Sequence, residues 1–232
     1  MLIICSGFQK TPSSFIYQVI FQMLEEAGFE QFDLRNEILA TTKTITKSAH
    51  LALSPRNLAS LLRALPTDRH MVVKTHDPVA PFLEDPEIAG RIGLVALDRG
   101  LDHAAASLVR QSIYLHDNAR FLGGEEVGLV SFRDALKKVT KGRERLAETY
   151  AHPAALVIHF EEIFTDIAAL IGRISAHIGV VAKPELVERY RAFIAKVLEG
   201  EGDSNLELVA LSQPRGALPA PAAPAESPKV EA

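Results

Sequence analysis

Short apolar runs alternate along this chain with stretches whose apolar positions recur at helical spacing. Residues 2–5 form an apolar run suited to a buried parallel strand, which breaks at Gly7. After a small, polar loop, Phe15, Val19, Ile20, Met23 and Leu24 repeat with helical period to residue 27, and Gly28 supplies a stop. Residues 33–40 fit a strand or a short helix equally. Ser54 and Pro55 predict a capped helix start, and Pro66 ends that helix after residue 65. Apolar runs at 71–74, 92–97 and 155–160 predict three further strands. Helices are predicted over 101–116, 133–150, 164–178 and 184–198, with Gly200 closing the last. Strands alternating with helices predict an α/β fold, a single domain with a parallel β-sheet flanked by helices on both faces. The expected division is an α/β domain over 1–200 and a flexible Pro/Ala-rich tail over 201–232.

In such sheets ligands lie beyond the carboxyl ends of the strands, so the residues just after each strand carry the candidate chemistry. After the first strand come Lys10, Thr11, Pro12, Ser13 and Ser14, leading into a helix N-terminus. Free backbone N–H groups and the helix dipole make that arrangement an anion site. The alternative is an ordinary strand-to-helix turn with Ser13 as its N-cap. Counted from Gly7, the Walker A pattern needs Gly, Lys and Ser/Thr at its sixth to eighth positions. Pro12, Ser13 and Ser14 stand there, which disfavours an ATP-driven phosphotransferase.

After the second strand comes Lys74-Thr75-His76, and after the third Asp98-Arg99, with Ser107 eight residues further on. Lys10, Lys74, His76 and Arg99 are expected to converge on one rim of the sheet. Three cations, an imidazole and several hydroxyls suit a polyanionic ligand with a proton acceptor beside it. Each has a plainer reading. His76 could hydrogen-bond a loop, Lys74 could be a solvated strand-end charge, Arg99 could pair with Asp98 or Asp102, and Ser107 could be a small packing residue.

Composition narrows the classes. The 232 residues are 47% hydrophobic and 23% charged, as in globular proteins. A net charge of −4 argues against a nucleic-acid surface. Cys5 is the only cysteine, so an internal disulfide is excluded. No metal cluster stands out, no run is long enough for a membrane span, and no secretory signal opens the chain, so the expected location is cytoplasmic.

With these motifs in order, the chain resembles the cytosolic-type sulfotransferases, whose fold is P-loop NTPase-like. The segment from Gln9 to Phe15 is similar to that family's Pro-Lys-Ser-Gly-Thr-Thr-Trp loop, which holds the 5′-phosphosulfate of 3′-phosphoadenosine 5′-phosphosulfate. Lys74-Thr75-His76 resembles its Lys-Thr-His segment, and His159-Phe160-Glu161-Glu162 its Tyr-Glu-Asp segment. The resemblance implies His76 as catalytic base, with Lys10 and Lys74 acting on the leaving and transferring groups. It implies a donor site of Lys10, Thr11, Pro12, Ser13, Ser14, Phe15 and Phe160, with Arg99 and Ser107 on the 3′-phosphate. The product would be 3′,5′-adenosine bisphosphate, and the acceptor a small molecule, carbohydrate or lipid.

The departures are Pro12 for a glycine, Phe15 for a tryptophan, Phe160 for a tyrosine, and no clear Arg-Lys-Gly segment apart from Pro214-Arg215-Gly216. Two other functions remain open on the residues: a P-loop-type kinase, and a non-catalytic nucleotide-binding or interaction protein with this fold. Acceptor loops are expected at 83–91 and 119–128.

Overall fold

The computed structural model describes residues 1–31, 50–118 and 128–199. Four strands, β1 (Leu2–Gly7), β2 (Met71–Thr75), β3 (Ile92–Asp98) and β4 (Ala155–His159), form one parallel sheet in the order β2-β1-β3-β4. β1 and β3 are buried along their whole length, which is why they read as unbroken apolar runs. The register pairs Cys5 with Lys74 on one side and with Val95 on the other, so the strand ends stand level.

The nine α-helices among the described residues are α1 (Ser13–Glu26), α2 (Pro55–Ala64), α3 (Pro86–Ala89), α4 (Leu101–Asn118), α5 (Phe132–Arg145), α6 (Ala147–Ala151), α7 (Glu162–Thr165), α8 (Ile167–Ile178) and α9 (Pro184–Leu198). Because strand side chains alternate faces, β1 feeds two cores. Ile3 and Cys5 join α1, α8 and α9 on one face, while Leu2 and Ile4 join α2 on the other. A third cluster packs Phe8 against Ala104, Ala105 and Leu108 of α4 and Ala135 and Val139 of α5. Gly142 permits that approach, since a Cβ there would stand 3.0 Å from the Cβ of Phe8. From β1 the chain runs first to β2 on one side and then to β3 on the other. The β1/β3 boundary is therefore the point where ligands enter such sheets.

Three expectations change. The predicted helix over 133–150 is two helices, because Leu146 turns its fully buried side chain into the Phe8 cluster with a backbone (φ −98°, ψ 5°) off the helix. The helix over 164–178 also divides, at Asp166, whose extended backbone lets its carboxylate cap Ala169 N–H at 3.0 Å. Residues 83–91 lead into the amino end of β3, where the Arg91 carbonyl accepts from Leu2 N–H at 2.8 Å. They lie at the rim opposite the site and cannot supply an acceptor loop. Residues 33–40, 119–127 and 200–232, with their expected strand or helix, loop and tail, lie outside the described residues.

Candidate active site

The turn after β1 is tight. A Cβ on Gly7 would lie 2.9 Å from the Leu97 carbonyl oxygen and closer still to Thr11 Oγ1, so only glycine fits. Thr11 closes the turn by donating its hydroxyl (2.9 Å) and its N–H (3.2 Å) to the Phe8 carbonyl. Between them Lys10 adopts φ +70°, the one positive φ of a non-glycine residue among those described. Pro12, at φ −73°, is the N-cap of α1, and no side chain caps that helix. Ser13, the alternative N-cap, is instead its first residue. The first intrahelical bond runs from Ile16 N–H to the Pro12 carbonyl at 3.0 Å. The amides of Ser13, Ser14 and Phe15 therefore have no intrahelical acceptor and form the positive end of a 14-residue helix.

At the end of β2, Lys74 donates from Nζ to Ser14 Oγ at 3.2 Å and stands 5.5 Å from the Tyr17 ring centroid. Burial lowers the pKa of Lys74. Burial, and then the neighbouring Arg99, lowers that of Lys10. His76 makes a short contact from Nδ1 to the Gly7 carbonyl. A carbonyl only accepts, so Nδ1 carries the hydrogen and the neutral ring keeps its lone pair on Nε2. The His50 ring lies 4.9 Å from that of His76, its pKa lowered by burial, then by His76 and Lys74. Asp77 steadies the segment by accepting from Leu53 N–H at 2.9 Å and pairing with Arg145 of α5.

At the end of β3, Arg99 lays its guanidinium over Phe160, 4.0 Å from the ring centroid, and donates from Nη1 to the Lys10 carbonyl at 3.0 Å. Its Nε is buried with no partner among the described residues. Burial lowers its pKa, Arg110 adds to that effect, and Glu161 opposes it. The Arg99–Asp98 ion pair does not form. Asp98, with a nearly buried side chain, accepts from Arg99 N–H at 2.9 Å, takes Arg143 at 2.7 Å, and faces His159 Nδ1 at 3.6 Å.

The structure brings Lys10, Thr11, Ser13, Ser14 and His76 around one cavity of about 370 Å³. Lys74 reaches it through Ser14, and Arg99 through the Lys10 carbonyl. Ser107 is half-buried on α4, one turn before Arg110 and Gln111. Phe15 faces away, packed in the core against Tyr190 and Phe193 at centroid distances of 5.5 and 6.0 Å. The cavity also takes Gln9, Leu108, Gln111 and Lys138, which sequence reasoning missed. Lys138 reads as one more charge on an exposed helix. Only the neighbouring Ala135 and Val139, both buried, betray that this side of α5 faces Phe8 and α4.

No family model matches the chain, and no curated protein does. Solved structures do. The mouse sulfotransferase SULT7A1 complexed with PAP superposes with a TM-score of 0.50 at 11% identity, over 88% of this chain and 68% of that one. Retinol dehydratase in complex with androsterone and the inactive cofactor PAP gives 0.49 at 17% identity, over 83% and 64%. Its complex with retinol and PAP gives 0.49 at 19%, over 86% and 65%. The chain thus spans under two thirds of the retinol dehydratase length. At these identities the likeness concerns the fold, and the fold of this chain is that of the cytosolic-type sulfotransferases.

Proposed function

We propose that this protein transfers a sulfuryl group from 3′-phosphoadenosine 5′-phosphosulfate to an acceptor hydroxyl or amine. The observation that carries the reading is a single cavity containing Lys10, the uncapped start of α1 and His76. An anion fits there because the Ser13, Ser14 and Phe15 amides lack intrahelical acceptors and the lysines lack carboxylate partners among the described residues. The buried, unpartnered Nε of Arg99 fits a phosphate beside it.

The bound donor would supply an activated sulfuryl group on a phosphate leaving group. Ser13, Ser14 and the first turn of α1 hold the 5′-phosphate, with Thr11 fixing the turn and Pro12 setting the helix entry. Lys10 offsets the charge that develops on the phosphate oxygen as its bond to sulfur breaks, and Lys74 does so at the transferring group. His76 Nε2 takes the acceptor proton as the new oxygen–sulfur or nitrogen–sulfur bond forms. Arg99, Ser107 and the Phe160 platform select the 3′-phosphate. Phe15 serves by packing α1 against α9.

The kinase alternative needs a free strand-end acid for Mg²⁺, and Asp98 is committed to Arg143 and Arg99 N–H. Calorimetry with 3′,5′-adenosine bisphosphate tests the reading. Metal-independent binding that Arg99→Ala weakens, with transfer from the labelled donor, is expected. Binding without transfer would leave a non-catalytic nucleotide-binding protein, and no binding would overturn the donor assignment.

A further inference from the structure

Helix α5 carries Arg133, Lys137, Lys138, Lys141, Arg143 and Arg145 against Asp134 and Glu144. Two of these cations are committed to the framework, Arg143 to Asp98 and Arg145 to Asp77. The other four are exposed and make no ion pair among the described residues. They are not scattered. Lys138 lines the cavity that holds His76 and Lys10, while Arg133, Lys137 and Lys141 line an open cleft of about 540 Å³ with Leu136, Thr140 and Glu144. Lys138 and Lys141 stand three residues apart, hence side by side on the helix surface, so one row of cations on α5 serves both the cavity and the cleft.

The cavity wall beside His76 is equally marked in its chemistry. Thr11, Ser13 and Ser14 belong to the donor loop; beyond them Gln9 and Gln111 bring amides, and Leu108 is the one apolar side chain among the described lining residues. A flat aromatic or steroid acceptor would find no apolar slot among the described lining residues, and would bury the amides unpaired. A ligand rich in hydroxyls satisfies them, and carboxylates or sulfates along it would meet the cations of α5.

Resting on the sulfotransferase reading, we propose that the acceptor is an anionic, hydroxyl-rich saccharide, laid along α5 so that Lys138 meets the unit beside His76 and Lys137, Lys141 and Arg133 hold the units beyond. Acids are few on this wall: Asp134 is held by Ser131 Oγ at 2.7 Å, and Glu144 is the one acid among the described residues lining the cleft.

The test measures transfer from the labelled donor to a desulfated, uronate-containing heparin hexasaccharide, to neutral maltohexaose, to 2-naphthol and to an acidic tyrosine peptide. Binding of fluorescent hexasaccharide in the presence of 3′,5′-adenosine bisphosphate is followed alongside. The uronate hexasaccharide should be preferred. Lys138→Ala should raise its KM by roughly three- to fivefold, Lys137→Ala/Lys141→Ala by a similar factor, and affinity should fall with added salt. Neither change should weaken binding of the bisphosphate. Preference for 2-naphthol or the peptide, no binding of the hexasaccharide, or a Lys138→Ala effect on the bisphosphate instead would overturn the acceptor assignment while leaving the donor site standing. Failure of the wild-type chain to bind the bisphosphate would remove the donor site and this inference with it.

Discussion

Arg99 donates from Nη1 to the carbonyl oxygen of Lys10 at 3.0 Å. Through that bond the residue after β3 fixes the backbone of the loop after β1, at the one described non-glycine position with positive φ. Two motifs 89 residues apart are thereby one device. The side chain that orders this loop also keeps a buried Nε with no hydrogen-bond partner among the described residues.

Arg99 substitutions should therefore cost more than one charge. Arg99→Ala is expected to raise the Kd of 3′,5′-adenosine bisphosphate by roughly a hundredfold, as for loss of charge-assisted hydrogen bonds. Arg99→Lys keeps the charge but loses the fork and the stacking on Phe160, and should recover only about tenfold of that. Calorimetry reads both. Equal affinity of Arg99→Lys and the wild type would show that the fork is not used.

His76 is held by its Nδ1 contact to the Gly7 carbonyl, which leaves Nε2 toward the cavity. His76→Ala should lower kcat by roughly a hundredfold or more, the range for a general base, with the bisphosphate Kd changed little. Single-turnover transfer beside calorimetry separates the two quantities. Full transfer by the variant would remove His76 from the mechanism.

The sheet, its helices and the strand-end residues were legible because each is written locally. Fully buried strands read as apolar runs, Gly7 and Ser54 mark turns and caps, and Lys10, His76 and Arg99 follow strand ends. What was not legible depends on tertiary packing. Nothing local in Leu146 tells it to leave the helix for the Phe8 cluster. Lys138 looks like Lys137 until the packing of Val139 on α4 shows which side is turned to the cavity. Phe15 sits at a motif position, yet the rings of Tyr190 and Phe193, some 175 residues away in sequence, draw it into the core.

Burial lowers the pKa of both Lys10 and Lys74, so the sign of their pH effects can be worked out. A lysine with a depressed folded pKa disfavours folding while it is charged. That cost is present below the folded pKa and disappears as pH rises toward the ordinary value. A bound polyanion restores both pKa values, so binding should take up protons on the alkaline side, between the lowered and ordinary values. Calorimetry in two buffers of different ionisation enthalpy measures the uptake. Proton release on binding would contradict it.

Asp98 distinguishes a structural acid from a metal ligand. It accepts from Arg143 and Arg99 N–H with its side chain nearly buried, so Asp98→Asn should cost about 1–3 kcal/mol, lowering Tm by several degrees. Bisphosphate binding should persist, with and without Mg²⁺. Mg²⁺-dependent binding of ATP to the wild type, abolished in Asp98→Asn, would instead favour phosphoryl transfer.

Pro12 places two effects in opposition. As N-cap at φ −73° it sits in the one conformation that proline prefers, which limits the unfolded chain and directs it into α1. It also lacks the N–H that a glycine would add to the anion cradle. Pro12→Gly should therefore lower the stability of the unliganded protein by about 1 kcal/mol, some 2–4 °C in Tm for a chain of this size. The added donor should tighten bisphosphate binding several-fold, so saturating ligand should bring the Tm most of the way back to that of the liganded wild type. Thermal denaturation with and without ligand measures both terms. A variant with lower Tm and weaker binding would show that the entry angle set by proline, rather than the number of N–H groups, governs how the loop holds its anion.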